Sequence, residues 1–190
     1  PPECPAACSD TCNADGTCPS APILNYRYVR IDDLSPMSET QDGGADIDSI
    51  TLFTSDGQTV YADGVVAFEH GGGAGDAFDP VEALGAPDAF YEYPLIDNCD
   101  ADEGYVSLGG IGGFLVVEFA DGTAMEQGDL LEVMEVGGCD YGGGTAFSED
   151  VEVAVSVARD PENQYWVTVG SGSGPEIPIT IPDLPRIEAD

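Results

Sequence analysis

Residues 151–157 alternate without interruption: Val151, Val153, Val155 and Val157 take one side, and Glu152, Ala154 and Ser156 the other. A period of two marks a half-buried strand, because successive side chains of an extended chain point to opposite faces. Residues 130–136 repeat the pattern, with Leu131, Val133 and Glu135 opposite Leu130, Glu132, Met134 and Val136. Further β-rich runs fall at 25–31, 47–54, 58–62, 65–69, 114–119, 165–169 and 177–181. Turn signals separate them, among them Asp56-Gly57 and Asp63-Gly64, both read as hairpins, and a Gly/Ser loop at 170–174. Runs 114–119 and 130–136 read as the central pair of strands, bracketed by Cys99 and Cys139 and stapled by one disulfide. At most one helical turn is legible, with Asp79 as N-cap and Pro80 at N1, ended by the tight turn at 85–88. Prolines 175, 178, 182 and 185 confine the C-terminal run to a sheet edge or an extended tail. The expected fold is all-β, an antiparallel β-sandwich of jelly-roll type. It occupies 23–174, after a short Cys-rich segment at 1–22 and before a proline-spaced extended segment at 175–190.

The charge limits what such a sandwich can meet. Thirty-seven acidic residues stand against four arginines and no lysine, a formal net charge of −33. Nucleic acid is excluded as a partner, because phosphate backbones need a cationic face. Anionic membranes are disfavoured for the same reason. No run of 18 apolar residues occurs, so membrane insertion is not expected. The hydrophobic fraction of 42% is enough for a core. The charge must then be tolerated through ionic strength, bound cations or both.

Six cysteines are present, four of them crowded at Cys4, Cys8, Cys12 and Cys18. Their spacing is wider than the C-x2-C pairs of zinc sites, which favours a disulfide framework in an exported protein. Three pairings of the four are open; Cys4–Cys12 with Cys8–Cys18 is one. The chain begins at Pro1 without Met, which reads as the product of leader removal.

Several residues carry candidate chemistry. Asp46 and Asp48, two apart on a strand, share a side and can reach one hard cation. Asn98, Asp100 and Asp102 have the alternate spacing of a calcium loop. Phe90, Tyr91 and Tyr93 make an aromatic loop beside these carboxylates, an arrangement that grips sugar rings or packs on the sandwich. The glycine-rich 70–79 has no lysine and no positive surroundings, so it is no phosphate cradle. Its His70, the single histidine, reads as a surface residue. Glu132 and Glu135 form a carboxylate pair of the kind glycosidases use, but such a chain supplies pairs by chance. No Ser or Cys nucleophile motif appears, and a non-enzyme is expected.

Residues 65–170 resemble a repeat family of bacterial cell-surface and secreted proteins. The resemblance rests on Asp79-Pro80, Leu84-Gly85-Ala86-Pro87-Asp88, Val106-Ser107-Leu108-Gly109 with Gly110, Gly112 and Gly113, and Gly128-Asp129-Leu130-Leu131 through Glu135. It extends to VAVSVARDPENQYWVTVG at 153–170. The family is similar to galactose-binding-like, discoidin-type jelly rolls. Its closing strands, YVRIxD and DxDx(V/I), here come first at 28–33 and 45–50, so the chain looks circularly permuted. The resemblance implies a Ca²⁺ site drawing on Asp46, Asp48, Asp88, Asp129 and Glu135. Taken with the acidic clusters and the aromatic loop at 90–93, the expected function is a secreted or cell-surface, Ca²⁺-stabilised binding or adhesion module, with glycans or cell-surface components as candidate ligands. The alternative is a structural subunit of an extracellular fibre or surface layer, a homo-polymer joined through Ca²⁺ or by exchange of its terminal segments.

Overall fold

A computed structural model describes residues 23–36, 44–73, 77–89, 104–136 and 149–189. Among them are ten strands and one short 3-10 helix. The strands are β1 (Tyr28–Asp33), β2 (Asp46–Phe53), β3 (Thr59–Tyr61), β4 (Gly64–Glu69), β5 (Val106–Ser107), β6 (Phe114–Glu118), β7 (Leu130–Glu135), β8 (Asp150–Ser156), β9 (Val167–Ser173) and β10 (Glu176–Thr180). They form two antiparallel sheets, sheet 1 ordered β4-β6-β1-β8-β9 and sheet 2 ordered β10-β7-β2-β3, with β5 also paired to β2. No described helix is long and apolar enough to cross a membrane.

The alternating runs form strands because each presents an apolar row to the space between the sheets. Val29 and Ile31 of β1, Leu115 and Val117 of β6, and Val151, Val153 and Val155 of β8 are fully buried. From the facing sheet come Ile47, Ile50 and Leu52 of β2 and Leu131 and Val133 of β7. Sheet 1 also closes its outer face. Arg30 lies 4.2 Å over the Phe114 ring and grips Asp32 through two 2.7 Å bonds. Arg30 Nη1 and Trp166 Nε1 both donate to the carbonyl of Pro161, tying the 157–166 connection down. Arg27 holds Glu118 at 3.1 Å and Asp121 at 2.7 Å.

The helical turn is Pro80–Ala83, and Asp79 caps it by accepting from the Val81 N–H. β10 takes the edge that its prolines require. It lies inside the range 175–190 and pairs with β7. Asn25–Leu184 forms one compact unit. Near the termini, in a separate unit, Ile23 bridges Glu188 and Leu24 N–H donates to the Ile187 carbonyl.

Three local readings are corrected. Runs 114–119 and 130–136 are not paired with each other: β6 and β7 lie in opposite sheets, each flanked by other strands. Asp63-Gly64 carries the chain from one sheet to the other and does not close a hairpin. Residues 170–173 continue β9. A Cβ on Gly172 would come within 2.6 Å of Ile177 Cγ2, and one on Gly170 within 3.1 Å of Ile179 Cγ2. These glycines make room for the isoleucines of β10 and do not mark a flexible loop.

Candidate functional site

One end of the sandwich collects the C-termini of β1, β4 and β7 and the N-termini of β2, β6 and β8. The described residues that border 37–43, 90–103 and 137–148 all sit there. Asp33, the last residue of β1, organises this end. Its Oδ1 accepts from Ser35 N–H at 2.8 Å; its Oδ2 accepts from Ala45 N–H at 2.7 Å and Gly110 N–H at 2.9 Å. A buried carboxylate, 2% exposed, thus joins the end of β1, the start of β2 and the glycine turn before β6. No role of its own falls to Asp33 in the sequence analysis. The Asp33-Leu34-Ser35 spacing of an Asx turn was the available signal.

β2 then delivers Asp46 and Asp48. The β2–β7 register shifts between Ile47 and Ser49, so a bulge interrupts strict alternation at Asp48. Asp48 is 4% exposed, and its Oδ1 accepts from the N–H groups of Asp88 and Ala89 at 3.1 and 3.2 Å. Burial pushes its carboxyl above the ordinary aspartate value; the two backbone bonds oppose this and the Asp88 charge adds to it. Glu135 is paired with Ile47 and 1% exposed, and the Asp46 carbonyl accepts from Val136 N–H at 2.7 Å. Asp46, Asp48, Asp88 and Glu135 therefore gather at one end of sheet 2.

Asp129 does not join them. It precedes β7 at the opposite end, about 20 Å along the strand from Glu135. Its two oxygens accept from Ser55 N–H at 2.7 Å and Glu126 N–H at 2.8 Å. There it closes the 54–58 turn against the approach to β7, beside an open polar cleft of about 540 Å³ lined by Thr54, Asp56, Gln58, Asp121 and Glu126. Glu132 and Glu135, three apart on one strand, lie on opposite faces, so they are no catalytic pair.

His70 is half-buried rather than a surface residue. Its Nδ1 accepts from Gly72 N–H at 3.1 Å, and its ring meets Phe78 edge-on at 4.8 Å. It staples the glycine loop. Phe90, Tyr91, Tyr93, Asp100, Asp102 and the cysteines Cys4, Cys8, Cys12, Cys18, Cys99 and Cys139 lie outside the described residues. The two residues that border 90–103 are neighbours: a Cβ on Gly104 would lie 3.1 Å from Ala89 Cα and 3.0 Å from Asp88 Oδ1. A segment carrying the aromatic and acidic candidates thus departs from and returns to the Asp48–Asp88 corner.

Among the described residues, no three His, Cys, Asp or Glu side chains converge closely enough to hold a metal ion. The all-oxygen donor set suits Ca²⁺, a hard cation of six to eight ligands, but it needs donors from beyond the described residues. No family model, curated protein or solved structure matches the chain.

Proposed function

We propose that the protein is a secreted or cell-surface binding module of galactose-binding-like, jelly-roll type, stabilised by disulfides and by Ca²⁺ at the β2 end of the sandwich. The observation that carries this reading is the Asp48–Asp88 corner, where a buried carboxylate at a bulge grips the stem of segment 90–103. Asp48 and Asp88 would hold the ion, with Asp46 and Glu135 behind them and Asp100 and Asp102 completing the shell. Bound Ca²⁺ would supply positive charge at this crowded anionic corner and fix the stem that presents Phe90, Tyr91 and Tyr93. Glycans are the favoured ligand class, because aromatic faces beside carboxylates suit hydroxylated rings. The fold-level resemblance supports a metal more than any particular ligand.

A calorimetric titration of Ca²⁺-stripped protein with CaCl2 tests the reading. Wild type binds with a saturable isotherm, and Asp48→Asn and Asp88→Asn each weaken it at least about tenfold, as loss of a charged ligand should. Isotherms unchanged by both substitutions would refute the site. The fibre-subunit alternative gains nothing from β10. This strand is already paired within its own sheet, and Pro178 sits where its absent N–H would have faced the free edge.

A further inference from the structure

Three large apolar side chains stand out in water at one end of the sandwich. Leu34 follows β1, Phe78 follows β4 after the glycine loop, and Ile111 precedes β6; they are 47%, 48% and 58% exposed. Contacts along the backbone link them. The Phe78 ring meets the His70 ring edge-on at 4.8 Å. A Cβ on Gly109 would fall 2.2 Å from His70 Nε2, so the His70 ring lies against Gly109, two residues from Ile111. Ile111 N–H donates to the Ser35 carbonyl at 2.9 Å, beside Leu34. Single surface hydrophobics are ordinary, but neighbouring ones rimmed by polar residues mark an interaction surface.

Ile111 is also held in place. Its turn closes through Gly113 N–H to the Gly110 carbonyl at 2.8 Å, and Gly112 takes the positive φ, 100°, that the third position of a type II turn requires. Gly110 N–H donates to Asp33 Oδ2, and Asp33 N–H donates to the Gly113 carbonyl. Both sides of the turn are thus tied to the buried end of β1. A side chain presented this way loses little conformational freedom on docking.

The surroundings set the chemistry of what docks. Glu69 precedes His70, Asp79 follows Phe78, and the Asp150 carbonyl accepts from Leu34 N–H; all three residues are exposed. No free cation balances them: the chain has no lysine, and each of its four arginines is already paired with a carboxylate. We infer that Leu34, Ile111 and Phe78 form a docking ridge for a protein partner with an apolar pocket ringed by Lys and Arg. A second copy would set carboxylates against carboxylates, and an anionic lipid surface would repel them. The ridge needs no metal and stands independently of the Asp48–Asp88 reading.

The probe is a Leu/Lys peptide helix with one apolar face, compared with a scrambled peptide of the same composition, by fluorescence anisotropy on the full chain in about 0.15 M NaCl. Wild type should bind the amphipathic peptide more tightly than the scrambled one. Ile111→Ser and Leu34→Ser should each weaken the amphipathic peptide about tenfold, at unchanged melting temperature and unchanged affinity for the scrambled peptide. Tyr61→Thr, which removes an exposed aromatic from β3, should bind as wild type does. Equal affinity for the two peptides, or equal affinity of wild type and Ile111→Ser for the amphipathic one, would reduce the binding to charge and overturn the ridge. A lowered melting temperature in both serine variants would make these side chains structural and overturn it too. Ile111-dependent binding to phosphatidylcholine vesicles would reassign the ridge to lipid, and Ile111-dependent self-association in sedimentation would reassign it to a second copy; either overturns the protein partner.

Discussion

Replacing Asp33 by alanine should be among the most damaging single changes in the chain. The substitution removes no large apolar surface, so core burial does not set its cost. It strands three N–H groups, those of Ser35, Ala45 and Gly110, which now donate to one carboxylate at 2.7–2.9 Å. A buried donor left unsatisfied costs about 1–3 kcal/mol. The lower part of that range applies, since water can enter the space the carboxylate leaves; three donors then give about 3–5 kcal/mol. Domains have only about 5–15 kcal/mol in total, so Asp33→Ala should leave the protein barely folded at 25 °C. Asp33→Asn keeps one acceptor oxygen and should cost roughly half as much. Asp32→Ala is the control: its carboxylate is partly exposed and paired with Arg30, and its loss should cost under about 1 kcal/mol. Urea unfolding followed by Trp166 fluorescence and circular dichroism gives the differences, provided the slope is unchanged. An Asp33→Ala midpoint no lower than that of Asp32→Ala would refute the reasoning, because the three bonds would then carry no net stability.

Other outcomes follow from the same kind of geometry. Gly113→Ala puts a Cβ 1.9 Å from the Leu108 carbonyl oxygen and 3.0 Å from Gly71 N. Backbone must move, and thermal unfolding should show a loss of at least about 2 kcal/mol. Burial raises the Tyr26 hydroxyl above the ordinary tyrosine value of 10.0. A raised group contributes stability fully present below its unfolded pKa and lost as pH climbs through the folded one. Tyr26→Phe should therefore lose less stability than wild type between pH 9 and pH 11 in urea titrations. Pro178→Val restores an outward N–H to the free edge of β10, and light scattering should register more self-association than in wild type; unchanged scattering would mean that this edge is protected by something other than its proline.

The strands were legible because their alternation is a consequence of burial. Leu131 and Val133 face the core, Leu130 and Glu132 do not, and the pattern along 130–135 says so directly. The Asp79 cap and the edge position of β10 were legible because proline and aspartate act locally. Partnership was not legible. Nothing in 114–119 or 130–136 tells whether two neighbouring strands pair or face each other across a core, and β6 and β7 do the latter. Gly170 and Gly172 misled because glycine marks both flexibility and close approach, and only the isoleucines of β10 decide between them. At the site, the spacing of Asp46 and Asp48 implies a shared side only if the strand alternates strictly, and the register shift between Ile47 and Ser49 interrupts that alternation. The contact from Asp48 to Asp88 spans forty positions and depends on a bulge that no local pattern marks. Asp129 and Glu135 stand at the two ends of β7, and a strand separates its ends as surely as it aligns its faces.

The most direct measurement is a pair of thermal melts, in CaCl2 and in EDTA, with particle size followed in the same sample. Ca²⁺ at 100 times its dissociation constant adds about 2.7 kcal/mol, equivalent to about 5–10 °C for a domain of this size. Wild type should show that rise without growth in particle size, and Asp48→Asn should lose most of it. Equal melting temperatures in Ca²⁺ and EDTA would contradict a metal-stabilised corner, and a rise accompanied by growth into large particles would contradict a solitary binding module.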